Sequence, residues 1–307
     1  MSTSTKGPRP APWRAAFLQQ VYQLDPTAPC FVLSTVHPNL DSDSPPTRLP
    51  RARTVALRGM WAELSDNDRN PAERNPPGIW ASDMLCITTD ARMDKVTQIM
   101  LPGSEAGDAA VPEASMPHSA AGSASGGGGQ FEAVFWVPAA KAQWRLRGTA
   151  YVLGPDIDSP EPAPSKVREV LTRRMRRLGG AEADWSWERE VTAHFGNMRP
   201  IMRGTFRNPC PGRPVSEGKG GEGLDLGQAV EDLQDKIARE NFRVVVMVPD
   251  LVDRVDLAED KRARRWIYGY VGEGGEGEET WKGDEGEDYL RWDGEIEAGW
   301  KITEVWP

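Results

Sequence analysis

Short segments with the alternation typical of β-strands recur along this chain, and most of them are joined by loops instead of helices. Strands are predicted at 29–36, 53–57, 85–89, 131–137, 143–153, 242–248, 266–271 and 289–292. The short segment Pro138–Ala142 separates 131–137 from 143–153, which predicts an antiparallel hairpin. Parallel strands need long crossover connections, so the pattern disfavours a doubly wound sheet. It favours a mainly β (α+β) fold, an antiparallel sheet or barrel with peripheral helices.

Five helices are predicted around this sheet. The first, at 11–24, places Trp13, Phe17 and Val21 on one face. The second follows the strand at 85–89 and has Asp90 as its N-cap. The others are predicted at 165–178, 187–195 and 228–240. Gly179 and Gly180 are expected to end the helix at 165–178. Its arginines are expected to face solvent: Arg168, Arg173, Arg174, Arg176 and Arg177.

Glycine and proline are abundant, with 31 and 26 residues, and they concentrate in a few stretches. Residues 102–130, rich in Ala, Gly and Ser, and the acidic residues 272–288 are predicted to be flexible or disordered insertions. The first of these contains four consecutive glycines, but no Gly-Lys-Ser/Thr follows them, so a Walker-type phosphate loop is excluded. Residues 1–10 are predicted to be disordered, and 11–307 to form a single domain.

The composition argues against several classes of function. The formal net charge is −9, which disfavours a general nucleic-acid-binding protein. Three cysteines at unrelated spacings predict neither a disulfide framework nor a zinc site, and three isolated histidines predict no metal site. Because no long apolar run is present, neither a signal peptide nor a membrane span is predicted. We therefore expect a cytoplasmic protein.

Three distant segments pair strand-like alternation with cationic or hydroxyl side chains: 53–58, 88–95 and 143–148. Arg53 and Arg58 would lie on opposite faces of an undistorted strand. Both reach one ligand only if a bulge intervenes, or if one binds a phosphate and the other a ring. Lys95 is expected one turn into the second helix, where its amine and free backbone N–H groups can share an anion. Together the segments predict a pocket for a planar cofactor that carries a phosphate.

The order of these motifs resembles the pyridoxamine 5'-phosphate oxidase-like FMN-binding family. The matching runs are Arg-x-Val-x-Leu-Arg at 53–58, Thr-Asp-x-Arg-x-x-Lys at 89–95 and Gln-x-Arg-x-x-Gly at 143–148. The C-terminal half agrees through 241–245, 265–268 and a Trp-rich end at 300–307. The resemblance implies a split β-barrel that forms a homodimer, with FMN at the subunit interface.

The same resemblance implies a role for each of seven residues. Arg53 and Arg58 would contact the phosphate or the ring edge of FMN, and Lys95 the phosphate. Thr88 and Thr89 would contact the phosphate and the ribityl chain. Gln143 would contact the ring, and Arg265 would make a further contact. No catalytic residue and no metal ligand is implied.

Two departures from the family pattern bear on function. Asp94 stands where a basic residue usually precedes the lysine, and Ala263 stands in place of the histidine of the oxidases' C-terminal Arg-Leu-His-Asp-Arg motif. They argue against the vitamin B6 activity itself. The sequence therefore predicts an FMN-binding protein, acting as a flavin-dependent oxidoreductase on a small-molecule redox substrate. Two alternatives stay open: a flavin-binding or sensing module without turnover, and a split-barrel protein that binds haem or a deazaflavin.

Overall fold

The computed structural model describes residues 9–38, 48–100, 123–179, 184–259, 262–272 and 292–307. In these residues the strands are β1 Cys30–Pro38, β2 Arg48–Ala56, β3 Trp80–Ser82, β4 Leu85–Asp90, β5 Gly126–Val137, β6 Ala142–Leu153, β7 Met175–Arg177, β8 Phe242–Asp256, β9 Arg264–Tyr270, β10 Glu295–Glu297 and β11 Trp300–Val305. The helices are α1 Arg14–Val21, α2 Asp94–Met100, α3 Pro162–Arg173, α4 Trp187–Gly196, α5 Pro200–Gly204 and α6 Lys236–Asn241.

Nine strands form one sheet in which every pairing is antiparallel. Its order is β10-β11-β9-β8-β6-β5-β1-β2, and β4 pairs with β8 beside this path. Strands β3 and β7 form a separate pair. The hairpin β5–β6 turns through a 3-10 helix at Pro138–Ala140 and through Lys141, which has a left-handed φ of 45°. The predicted antiparallel sheet with peripheral helices is confirmed.

Strand β8 organises the sheet because β6 follows one edge along its length. On its other edge, Phe242–Met247 pairs with β4, and Leu251–Asp256 pairs with β9. A bulge interrupts the β6 ladder: Arg147 pairs with Leu251 and Gly148 with Pro249, so Asp250 is the extra residue. Gly148 is required there, since a Cβ atom would lie 2.0 Å from the carbonyl oxygen of Val248.

The bulge changes which side chains of β8 face which core. Before it, Val245 and Met247 face a core shared by the sheet, α1 and α2. Val244, Val246 and Val248 face a second core that contains side chains of α3, α4 and α6. After the bulge, Val252 faces the first core. Asp253 and Val255 therefore share the opposite face with their partners Arg145 and Gln143 on β6.

The glycine run predicted to belong to an insertion is instead the start of β5. Gly126–Gly129 pair with the end of β6, and they pass directly against α2. A Cβ atom on Gly129 would lie 2.7 Å from the carbonyl oxygen of Gln98, so a residue with a side chain does not fit. The prediction is therefore wrong at 126–130, because these glycines permit a close backbone contact and do not mark a linker. Residues 101–122 and 273–291 lie outside the described part, as does most of the strand predicted at 289–292.

Tertiary contacts shorten two of the predicted helices at one end. The helix predicted at 165–178 ends at Arg173, and Met175–Arg177 pairs with β3 as β7. The arginines beyond this end are held by tertiary partners: Arg174 binds Asp250 at 2.8 Å, and Arg176 binds Asp83. Arg168 also binds the protein, through the carbonyl oxygen of Ser159. The predicted solvent-facing arginine surface is thus wrong for these three residues.

The helix predicted at 228–240 contains only Lys236–Asn241, because the chain before it has another partner. The carbonyl oxygen of Val230 accepts a hydrogen bond from the buried Arg203 guanidinium, at 2.7 Å. The helix at 187–195 is confirmed as α4 and that at 11–24 as the shorter α1. Within the described ranges, no helix is long and apolar enough to cross a membrane.

Candidate functional site

Arg53 lies at the centre of a polar cluster between β1, β2 and α2. Its Nη2 donates to Oε1 of Gln98 at 2.7 Å, and its Nη1 donates to Oγ1 of Thr35 at 2.6 Å. Gln98 and Thr35 are 3% and 2% exposed, whereas Arg53 is half-buried. Burial lowers the pKa of the guanidinium. Two buried polar groups therefore fix the direction of a cation that stays partly open to solvent.

Lys95, the second residue of α2, lies close to Arg53. Its Nζ donates to Oγ1 of Thr89, at 3.0 Å. Burial lowers the pKa of the Lys95 amine, and the positive charge of Arg53 lowers it further. Two cations thus lie within electrostatic reach of each other at the end of β4. Such a pair is stabilised by a bound anion, which offsets the repulsion between like charges.

The prediction that Asp90 is the N-cap of the helix is wrong. It is the last residue of β4, and its carboxylate accepts hydrogen bonds from the backbone N–H of Arg92 at 2.8 Å and from the Arg92 guanidinium. Helix α2 begins only at Asp94, so Lys95 lies in its first turn. The Arg92 guanidinium is engaged by Asp90, and Arg53 and Lys95 are the cations of this cluster that the sequence motifs single out.

Arg58 and Thr88 form a second contact on the other face of β4. The Nε of Arg58 donates to Oγ1 of Thr88 at 3.3 Å, and burial lowers the pKa of the guanidinium. Strand β2 ends at Ala56, and the backbone N–H of Arg58 donates to the carbonyl oxygen of Cys86. Arg58 has therefore left β2 and lies along β4. Thr88 and Thr89, as neighbours on a strand, point to opposite faces.

Gln143 and Arg265 lie together in a different place. Both pair with Val255, Gln143 from β6 and Arg265 from β9, so their side chains share one face of the sheet. One row along, Arg145 and Arg265 both bind the carboxylate of Asp253, which is 2% exposed. The Nε atoms of the two arginines lie 3.1 and 3.0 Å from its oxygens.

An open groove lies beside this second group. Its volume is about 570 Å³, within the range of small-molecule sites. Arg265 and Ile267 of β9 form one wall, and Thr303 and Val305 of β11 lie next to them in the pairing. Trp292 and Trp306 also line the groove. It therefore combines a guanidinium with two large aromatic rings.

One chain does not bring the seven predicted residues together. Thr88 pairs with Val244, whereas Gln143 and Arg265 pair with Val255. These two positions of β8 lie roughly 35 Å apart at about 3.3 Å per residue. The structure therefore holds two groups: the β4 group (Arg53, Arg58, Thr88, Thr89, Lys95) and the β8-end group (Gln143, Arg265).

Sequence reasoning missed the residues that hold the predicted ones in place. Thr35 occupies an inward position of β1, after Phe31 and Leu33, and Gln98 lies between the buried Val96 and Ile99 of α2. A polar residue at an apolar position of a periodic pattern is the signal that could have found both. Asp253 lacked such a signal, because the bulge that decides its face is invisible in the pattern.

Part of the N-terminal half is similar to a known family of domains. Residues 10–154 match the sequence model of the pyridoxamine 5'-phosphate oxidase, FMN-binding domain. The uncharacterized protein YGR017W of Saccharomyces cerevisiae is 25% identical over 99 residues, which are 32% of this chain and 33% of that protein. This match thus spans about a third of the relative's length.

Among solved structures, a pyridoxamine 5'-phosphate oxidase-related, FMN binding protein from Nostoc punctiforme is similar with a TM-score of 0.50 and 17% identity. The likeness covers 98% of this chain and 100% of the other, and at this identity it shows the fold. PhzG from Burkholderia lata 383, in complex with tetrahydrophenazine-1-carboxylic acid, is more distant, with a TM-score of 0.42, 13% identity and coverage of 95% and 91%.

The fold and the site define an antiparallel β protein with a cluster of cations at the end of one strand. Residues 10–154, just under half of the chain, are similar to the pyridoxamine 5'-phosphate oxidase-like family of FMN-binding domains. This confirms the resemblance predicted from the sequence, and FMN is the cofactor of the family.

Proposed function

We propose that the protein is an FMN-dependent oxidoreductase whose cofactor site is composed of residues from two copies of the chain. The observation that carries the proposal is the proximity of Arg53 and Lys95, two partly buried cations that repel each other. The pKa of each stays lowered although the Asp94 carboxylate acts on both. A phosphate monoester brings nearly two negative charges at neutral pH, which offsets this repulsion. The residues present therefore fit the phosphate of FMN.

Within the β4 group, Arg53 and Lys95 bind the phosphate in this proposal. Thr89 and Thr88 supply hydroxyl groups to the phosphate and the ribityl chain, and Arg58 binds a ring edge or the phosphate from the other face of β4. Buried Gln98 and Thr35 orient Arg53, so the chain holds one cation in place before the ligand arrives.

The β8-end group supports a homodimer. Gln143 and Arg265 lie too far along β8 to reach a ligand at the β4 group of the same chain. A second copy related by twofold symmetry would bring its own Gln143 and Arg265 to that ligand. Within the proposed homodimer each chain contributes to both sites, and residues 11–307 act as one split-barrel domain.

The groove beside Arg265 is the proposed place for the small-molecule redox substrate. Tryptophan rings and a guanidinium suit a planar substrate with an anionic group. Bound FMN supplies the electron transfer. The side chains of the protein bind and orient FMN and the substrate and exclude water, so no acid–base triad is needed. The departure at Ala263 supports a substrate other than a vitamin B6 phosphate. A cytoplasmic location remains a prediction from the sequence.

The absorption spectrum of the purified protein tests this proposal, followed by titration with FMN and by an assay of NADPH oxidation. We expect flavin bands, binding of one FMN per chain, and turnover. A colourless protein that fails to bind added FMN would contradict the flavin assignment. A loaded protein without turnover with any nicotinamide donor would favour the sensing module, and a Soret band would favour haem.

A further inference from the structure

Helix α4 carries two buried titratable side chains that face each other. Glu190 and His194 are four residues apart and therefore lie on one face of the helix. They are 4% and 2% exposed, and 3.9 Å separates Oε1 of Glu190 from Nε2 of His194. Neither of these two atoms has a hydrogen-bond partner among the described residues. A buried polar atom without a partner carries a large desolvation cost, so this pair requires an explanation.

Neighbouring residues hold both side chains in place but form no hydrogen bond with Oε1 of Glu190 or Nε2 of His194. Nδ2 of Asn75 donates to Oε2 of Glu190 at 2.9 Å and to the carbonyl oxygen of Ser186, also at 2.9 Å. The ring of Trp61 stacks on that of His194, with centroids 5.9 Å apart and planes 5° from parallel. The Glu190 carboxyl is therefore anchored on one oxygen, and the imidazole is held flat against an indole.

Three charged or titratable groups interact with the pair: Arg74, Arg58 and Cys86. Arg74 acts on Glu190, and Glu190 in turn acts on the buried thiol of Cys86 in β4. Arg58 acts on His194 from the segment after β2. Arg74 binds the exposed Asp66, and Arg58 binds Thr88. Among the ion pairs of the described residues, neither guanidinium is paired with Glu190.

We propose that Glu190 and His194 hold one proton between them, as a carboxylic acid that donates to a neutral imidazole, and that they form a neutral pair which holds α4 against the sheet. A carboxylate and the bare Nε2 of an imidazole are both acceptors, and would repel each other at this distance. One proton on Oε1 satisfies both atoms, and a small side-chain rotation closes the gap to a hydrogen bond.

Electrostatics favour this distribution of the proton. Burial raises the pKa of Glu190 from its ordinary 4.5 to about 7. Burial, helped by the positive charge of Arg58, lowers the pKa of His194 from its ordinary 6.5 to about 4. In the unfolded chain between these ordinary values, the proton sits on the histidine. In the folded chain it sits on the glutamate. Folding therefore moves one proton from one side chain to the other without releasing it.

The two groups have opposite effects on stability as the pH changes. Glu190 has a raised pKa, so its contribution is present below about pH 4.5 and is lost as the pH rises to about 7. His194 has a lowered pKa, so its contribution is present above about pH 6.5 and is lost as the pH falls to about 4. Between about pH 4.5 and 6.5 the two slopes cancel. Above about pH 7 the pair loses its proton, and an uncompensated carboxylate loosens α4.

Urea unfolding between about pH 4 and 8 tests the proposal with Glu190→Gln, His194→Gln and the double variant, each compared with the unchanged protein. Relative to the double variant, Glu190→Gln should gain stability as the pH rises from about 5 to 6, with a slope approaching one proton per molecule. His194→Gln should lose stability with a similar slope. The unchanged protein should show neither slope. If both single variants run parallel to the double variant, the two groups do not share a proton and the proposal is overturned.

A second measurement needs no variant, in case a substitution prevents folding. The chain has three histidines, so the imidazole nitrogen resonances of the ¹⁵N-labelled protein form a small set. We expect one imidazole that is neutral at about pH 5 and accepts a hydrogen bond at Nε2. A protein in which no imidazole is neutral at that pH would overturn the proposal. Both measurements use protein without added FMN, so their outcome is independent of the proposed function.

Discussion

Lys95 carries its charge at an electrostatic cost to the folded chain. Burial and Arg53 both lower the pKa of its amine, so the protonated form is less favourable in the fold than in the unfolded chain. Its amine donates a hydrogen bond to the Thr89 hydroxyl. A residue held in this way contributes to ligand binding more than to stability.

We therefore predict that Lys95→Met weakens FMN binding by about 1.5–3 kcal/mol, the usual scale for a lost hydrogen bond to a charged group. The stability of the protein without FMN should be unchanged or higher. Fluorescence titration with FMN and urea unfolding measure the two effects. Lys166→Met is the matched control, because Lys166 is exposed and forms an ion pair with Glu169 at 3.8 Å on the surface of α3. A marked loss of stability in Lys95→Met would make the lysine structural.

For single residues, the sequence predicts which positions carry the charges of the site but not which neighbours orient them. Arg53 and Lys95 are recognisable because cations interrupt strand and helix patterns in a fixed order. The contact of Arg53 with Gln98 depends on how α2 packs against β1, and sequence spacing does not encode that packing. The strand period predicts that Arg53 and Arg58, five residues apart, face opposite sides of an undistorted strand. It does not predict that β2 ends at Ala56.

Among the elements, the start of β5 and helix α2 are linked most tightly. Backbone passes against backbone here, because a Cβ on Gly129 would meet the carbonyl oxygen of Gln98 and the Cα of Ile99, both at 2.7 Å. Gln98 is the same residue whose side chain accepts from Arg53. The position of α2 thus connects a glycine of β5 to a cation of the site.

We predict that Gly129→Ala destabilises the protein by about 1–3 kcal/mol, the range for overpacking at a site that cannot relax. It should also weaken FMN binding, since displaced α2 would carry Gln98 away from Arg53. Thermal unfolding and FMN titration measure these effects. Gly179→Ala serves as the control, because its nearest neighbour is an ordinary 3.8 Å away. Equal behaviour of the two variants would refute a close contact at Gly129.

Composition misled the prediction at this glycine run for a physical reason. A run of glycines and small residues is typical of linkers, and the same residues are required where two backbones touch. Only the partner strand β6 and helix α2 distinguish the two cases. The helix predicted to Leu178 failed in a similar way, because tertiary partners of Arg174 and Arg176 override local helix preference.

On the scale of the whole molecule, β8 separates the two groups of proposed cofactor residues. A site shared between two copies makes a prediction that a site within one chain does not. Lys95→Met removes the β4 group's lysine, and Arg265→Gln changes the β8-end group. In a mixed homodimer, one site would carry both changes and the other would carry neither.

We predict that mixing Lys95→Met and Arg265→Gln protein restores tight FMN binding at about a quarter of the sites, if subunits exchange freely. Each variant alone should bind weakly at all sites. Stoichiometric FMN titration after unfolding and refolding the mixture measures the restored fraction, and a mixture of Lys95→Met with itself is the control. No recovery from a mixture that forms dimers would contradict a shared site.

The class of fold follows from the sequence, because strands joined by short loops can only pair in antiparallel fashion with their neighbours. The strand order does not follow, since β4 pairs with β8 across more than a hundred residues. The alternation of polar and apolar residues predicts which residues share a face of a strand, but it does not predict which strand lies beside it. The separation of Gln143 from Thr88 was therefore not predictable, although both residues were identified.

Asp250, the extra residue in β8, limits which insertions and deletions this strand can accept in evolution. A chain that lost this one position would turn Val252 toward the groove and Asp253 into an apolar interior, where a lone carboxylate is not tolerated. Arg145 and Arg265 would lose their common anchor at the same step. Insertions and deletions in this strand must therefore come in pairs, whereas the loops outside the sheet are free to lengthen residue by residue.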